Sequence, residues 1–102
     1  MYCAIRRYSI QPGSLEQVVH ICQQGFVPLI STAPGFLGFY LIYEGDDRVT
    51  SISIFEDESG SRKSTELAAE YVAEHMAQFL LGAPTVTSGE VKIAQSEKRS
   101  PS

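Results

Sequence analysis

The chain has no tryptophan and no asparagine, and only two cysteines and two histidines. Each shortage closes something off. Cys3 and Cys22 form no CxxC pair and have no zinc-like spacing, so the plain reading is two reduced thiols acting as small buried hydrophobes. His20 and His75 fall on different helical segments with no carboxylates spaced to complete a site, so no metal is expected. Basic residues are scarce too: eight Lys and Arg against twelve Asp and Glu give a net charge of −4. Without a basic stripe to neutralise phosphates, nucleic acid is not an expected partner. No apolar run approaches the roughly 18 residues of a membrane span. MYCAIRRYSI has no apolar signal core. The expectation is a cytoplasmic protein with no membrane partner. Phosphate-binding Gly-rich loops and nucleophile elbows are missing as well.

What is present centres on Pro34 to Phe55. A chain of 102 residues makes one domain with a modest core, and this stretch reads as its hairpin. Phe36–Tyr43 is aromatic and β-branched, Arg48–Phe55 alternates, and Glu44-Gly45-Asp46-Asp47 has turn chemistry. A turn on Gly45-Asp46 pairs Glu44 with Asp47. It sets Phe39 opposite Ile52, Leu37 opposite Ile54 and Leu41 opposite Thr50. The other face then carries Phe36, Gly38, Tyr40, Ile42, Val49, Ser51, Ser53 and Phe55. Both faces are too apolar for water, whereas a sheet with one wet face should alternate. Two helices on one side leave the second face uncovered, and the simplest cover is another copy of the chain. The partner expected is therefore a homodimer mate docked through the sheet face.

Around the hairpin the chain reads in order. Tyr2–Ile10 is a strand, with Arg6 and Arg7 on opposite faces; the one aimed at the covered face needs an acidic or ligand partner. Ser14 and Gln17 have capping-box spacing before a helix whose stripe is Leu15, Val18, Val19, Cys22, Phe26, Leu29 and Ile30, with a kink expected at Pro28. A second helix spans Arg62 to Leu81, capped by Asp57, Ser59 or Ser61, with Ala68, Val72, Met76 and Phe79 as its stripe. Thr85–Ala94 is the last strand, and Gln95–Ser102 reads as a disordered tail. Residues 1–94 thus form a single α+β domain in the order βαββαβ. This is the ferredoxin-like arrangement, a four-stranded antiparallel sheet with two helices on one face. Pairing of two such sheets makes a dimeric α+β barrel.

Three segments carry a family resemblance: Pro34-Gly35-Phe36, Phe39-Tyr40-Leu41-Ile42, and Ser51-Ile52-Ser53-Ile54-Phe55-Glu56-Asp57. Through them residues 1–94 resemble the antibiotic-biosynthesis-monooxygenase-like domains. The resemblance implies the dimeric α+β barrel, and activities that range from quinone-forming oxygenation to haem degradation. Active members of both types commonly use an asparagine and a tryptophan in the pocket, and this chain has neither. Some haem-binding members carry a histidine on the second helix, where His75 stands.

Candidate site residues follow. His75 flanks the buried stripe and reads as a general base, a haem ligand, or a boundary histidine bonded to a neighbour. Tyr71 lies one turn before it, and the two with Phe79 could line one side of a pocket. Tyr40 is expected to share a face with Ser51 and Ser53, either bordering a cavity or packing a dimer interface. Two functions stand side by side. One is a cofactor-independent, monooxygenase-like enzyme acting on a small apolar or aromatic compound. The other is a non-catalytic homodimeric module that binds a small ligand or a partner. No cofactor is expected; haem, the third possibility, predicts a Soret band lost in His75→Ala.

Overall fold

The computed structural model describes residues 1–95. The expected tail therefore lies, apart from Gln95, outside the described residues. The elements are β1 (Tyr2–Ser9), α1 (Leu15–Ile21), a π-helical turn (Cys22–Phe26), α2 (Val27–Ser31), β2 (Phe36–Gly45), β3 (Arg48–Phe55), α3 (Glu58–His75), a 3₁₀ turn (Ala77–Phe79) and β4 (Thr85–Glu90). The sheet order is β2-β3-β1-β4 with every pairing antiparallel. This is the ferredoxin-like α+β fold, as the element order predicts.

The helices cover one face. Ala4 and Arg6 of β1 sit beside Ser53 and Ser51 of β3 in register, and all four are buried. Above them lie two apolar clusters. One joins Cys22, Phe26, Ile30, Phe55 and Ala68. The other joins Ile10, Val18, Val49 and Met76. Gly60 at the start of α3 is tight against Phe55, where an added Cβ would lie 2.8 Å from the ring.

Several local expectations are corrected. The hairpin turns on Asp46-Asp47, whose φ angles are +52° and +56°, and not on Gly45-Asp46. Two consecutive positive φ values give the mirror-image turn that matches strand twist, and aspartate tolerates that region better than most residues. Phe39 therefore opposes Ser53, Leu41 opposes Ser51 and Tyr40 opposes Ile52. A one-residue slip moves every side chain of a strand to the other face. A bulge between Phe36 and Gly38 brings Phe36 back opposite Phe55.

Ser14 makes no capping bond to the helix; its hydroxyl donates to the Gln11 carbonyl at 2.6 Å. Pro28 does disturb the first helix, but by widening it. The Val27 N–H reaches five residues back to Cys22 O, because the proline that follows has no N–H to continue an α-helical ladder. α3 starts a turn earlier than Arg62, capped by Asp57, which accepts from the Gly60 N–H at 3.0 Å. It also ends earlier, at His75. The last strand stops at Glu90 instead of Ala94.

Candidate functional site

Between the helices and the sheet lies a cavity built from β1, β2, β3, the π turn and α3. Its walls are mostly apolar: Val18, Phe26, Phe39, Leu41, Val49 and Met76. Its polar groups are Arg6, Tyr8, Cys22, Ser51 and Tyr71. Counting its open mouth, the cavity holds about 430 Å³ of atom-free space, but water-sized molecules have only about 30 Å³ to move in. That is room for a water or two. The Phe26 ring stands edge-on to Phe39 at 5.5 Å and tilted against Tyr71 at 5.6 Å, so three aromatic rings make one wall.

Strand periodicity sends Arg6 inward between Ala4 and Tyr8, and it is 2% exposed. Its guanidinium donates to Ser51 Oγ at 3.2 Å, Ser53 Oγ at 2.5 Å and Thr65 Oγ1 at 3.4 Å. Burial lowers its pKa, and Tyr8 with the two cysteines pulls the other way. Burial raises the Cys22 thiol to about 11 despite the attraction of Arg6. The Tyr8 phenol is raised for the same reason.

Tyr71 closes the cavity on the helix side. Its hydroxyl donates to Ile21 O at 2.8 Å, where α1 passes into the π turn. The approach is close enough that a side chain at Gly25 would collide with that hydroxyl. A second, wider groove, with about 450 Å³ in which water-sized molecules can move, runs between α3 and β4, bordered by Tyr2, Ser61, Thr65, Val86 and Ser88. Among the described residues no group of three or more His, Cys, Asp or Glu gathers to hold a metal.

A family model described as antibiotic biosynthesis monooxygenase matches residues 1–79. The chain belongs to this family. Solved structures agree in fold. A protein of unknown function from Nitrosomonas europaea is 18% identical with a TM-score of 0.79, covering 95% of this chain and 94% of its own. A monooxygenase from the gene ActVA-Orf6 of Streptomyces coelicolor, in complex with the ligand Nanaomycin D, is 19% identical with a TM-score of 0.76, covering 95% and 92%. A mutant of MhuD with two manganese protoporphyrin IX molecules bound per active site is 19% identical with a TM-score of 0.73, covering 95% and 100%. None of the curated proteins matches.

Within this family member the residues singled out from the sequence separate. Ser51 and Tyr71 line the cavity, and Ser53 holds Arg6 beside it. Phe79 packs behind, in the cluster of Ile10, Val18, Val49 and Met76. Tyr40 does not join Ser51 and Ser53: the slipped register sends it to the far face, 57% exposed. His75 is half-exposed at the end of α3, with its ring 4.5 Å from that of Tyr71 and Nε2 3.5 Å from a Glu74 carboxylate oxygen. It is not among the lining residues and reaches the cavity only through Tyr71. Arg6, Tyr8, Cys22 and Phe26 are among the lining residues that the candidate set omits. The signal for Arg6 was its place on the Tyr2, Ala4, Tyr8 side of β1.

Proposed function

We propose that this chain is a cofactor-independent, monooxygenase-like enzyme that binds a small apolar or aromatic compound in the cavity beside Arg6. One observation carries the reading: an aromatic-walled cavity in an antibiotic biosynthesis monooxygenase fold, with a few polar groups converging on it. In this chemistry the ionised substrate itself reduces dioxygen, and the protein supplies binding, a base and the exclusion of water. Ser51, Tyr8 and Tyr71 are the hydrogen-bonding groups available to position the compound. His75 remains the candidate base, but its ring only stacks on that of Tyr71, so in this role it must swing inward to come within hydrogen-bond reach of the compound. The closed cavity must widen to admit a substrate, and the π turn with its Tyr71 latch is the part we propose to give way.

Haem does not fit this cavity. An axial ligand would have to come from the cavity wall, and His75 stands outside it. The assembly proposed is a homodimer through the far sheet face, supported by Leu37, Tyr40 and Ile42, which are 49%, 57% and 44% exposed there. The setting proposed is the cytoplasm, which suits two free thiols. No described helix is long and apolar enough to cross a membrane. Residues 1–94 act as one domain in this reading.

The test is dioxygen uptake with a panel of polycyclic phenols and hydroquinones. Uptake above the buffer rate, reduced at least about tenfold in His75→Ala, supports the enzyme and its base. Unchanged uptake removes His75 from the role. Binding without uptake across the panel leaves the second reading, a non-catalytic ligand-binding module. That reading is favoured by the small closed cavity and the missing Trp and Asn.

A further inference from the structure

Arg6 lacks what a buried cation ordinarily has. Among the described residues, the ion pairs involve Arg62, Lys63, His75 and Lys92, and none involves Arg6. It donates to the hydroxyls of Ser51, Ser53 and Thr65, and the Tyr8 phenol supports it as well. Hydroxyl dipoles solvate a charge without neutralising it. A guanidinium carries five N–H donors and stays protonated in proteins, so donors remain beyond those three bonds. Its titratable neighbours are Tyr8, Cys22 and Cys3. Burial favours the neutral form of each, raising the Cys22 thiol to about 11 and the other two above their ordinary values. At neutral pH the pocket therefore holds a positive charge and no negative one. A residue there only to knit the sheet to α3 has no need of charge, because burying an ion without a counter-ion is costly.

We infer that the cavity beside Arg6 is built for an anion: a small ligand with a flat apolar body and one ionised oxygen group set against the guanidinium. This rests on the reading of the cavity as the ligand site, and it names the class of compound that site takes. Phe26, Phe39, Leu41, Val49 and Met76 receive the body. Arg6 receives the oxyanion, and the neutral Tyr8 phenol is a second donor on the same strand. The oxyanion is a carboxylate, which a guanidinium meets with charge-assisted hydrogen bonds. An uncharged analogue of the same shape leaves the guanidinium without its partner.

The experiment is an ¹⁵N NMR titration of the full chain with two matched pairs, benzoate with benzamide and 2-naphthoate with 2-naphthamide. Each carboxylate is expected to bind roughly tenfold or more tightly than its amide, the scale of one charge-assisted hydrogen bond. The Arg6 Nε–H resonance and those of Phe26 and Val49 should move with it. In Arg6→Met the carboxylate preference should vanish, and the thermal midpoint should fall, because the buried Ser51 and Ser53 hydroxyls lose their partner. If carboxylate and amide bind the unmutated chain equally, or the carboxylates shift only surface residues, the inference is overturned and the cavity can still be a ligand site. If no probe moves the lining residues, the reading of the cavity as the ligand site fails first, and the inference falls with it. Should Arg6→Met not fold, the comparison of the two pairs on the unmutated chain decides alone.

Discussion

The two faces of the sheet carry the wrong sort of side chain for their surroundings. The covered face, under both helices, holds Arg6, Ser51 and Ser53, at most 5% exposed. The bare face presents Tyr40 and Ile42 beside Ile52 and Ile54. In a sheet folded only for stability the pattern would be reversed, since buried polar groups need partners and exposed grease invites association. The difference is what the proposed ligand and the proposed second copy would each account for. Amid its apolar clusters the covered face carries one charge and a set of hydroxyls, which suits a ligand. The bare face has methyls where water would be, which suits a second copy.

The largest test of this contrast lies in the covered face. Phe55 is fully buried, stacked edge-on to Phe36 at 5.8 Å and held against Gly60. Phe55→Ala is expected to cost about 3–5 kcal/mol of stability in urea unfolding. The loss should be the same at every protein concentration, because it belongs to the fold of one chain. A loss below about 1 kcal/mol would mean that this cluster is not the core. Ile52→Asp tests the bare face. It places a charge at the middle of the proposed interface and should raise the dimer dissociation constant by about a hundredfold, seen as a shift from dimer to monomer in sedimentation velocity. A dimer of undiminished strength would move the interface elsewhere.

Much of this contrast was legible in the sequence. The two-sided grease of Phe36–Phe55 was visible as failed alternation, and the order of elements gave the ferredoxin-like sheet. The assignment of side chains to faces was not legible, because it hung on one residue of turn placement. Gly45 attracts the turn by composition, yet the chain turns on Asp46-Asp47, both at positive φ, and spends Gly45 just before them. The site was half-legible for the same reason. The strand period alone marked one of Arg6 and Arg7 as in want of a partner, without saying which. The hydroxyl cradle of Arg6 was hidden, because Ser51 and Ser53 had been grouped with Tyr40. The π turn was legible only as trouble near Pro28; its close contact with Tyr71 depends on a residue 46 positions beyond Gly25, which no local pattern reports.

That contact gives a smaller test. Tyr71→Phe removes the hydroxyl bond to Ile21 O and nothing else, so it should cost about 1 kcal/mol. If the latch also gates the cavity, the same variant should bind 2-naphthoate faster, because the π turn opens at lower cost. Stability reduced with an unchanged association rate would make the bond structural only.

The smallest perturbation uses the two thiols as reporters, one for each face. Cys3 lies on β1 between Tyr2 and Ala4, so it faces away from the helices and is half-buried. Cys22 lies in the π turn, buried in the cavity wall. Only the thiolate attacks a labelling reagent. With its thiol pushed up to about 11, Cys22 is almost wholly protonated at pH 8, besides being shielded. It should label only when the chain unfolds, and a ligand in the cavity should slow it further. Cys3 is also raised by burial, though open on the bare face, so it should label faster than Cys22 in the native protein. Its rate should also fall as protein concentration rises and the second copy covers it. Ile52→Asp should abolish that concentration dependence while leaving Cys22 protected. If Cys3 labels at one rate across the whole range that spans dimer formation, the second copy does not sit over β1. The two faces would then differ in composition without differing in what each was made to meet.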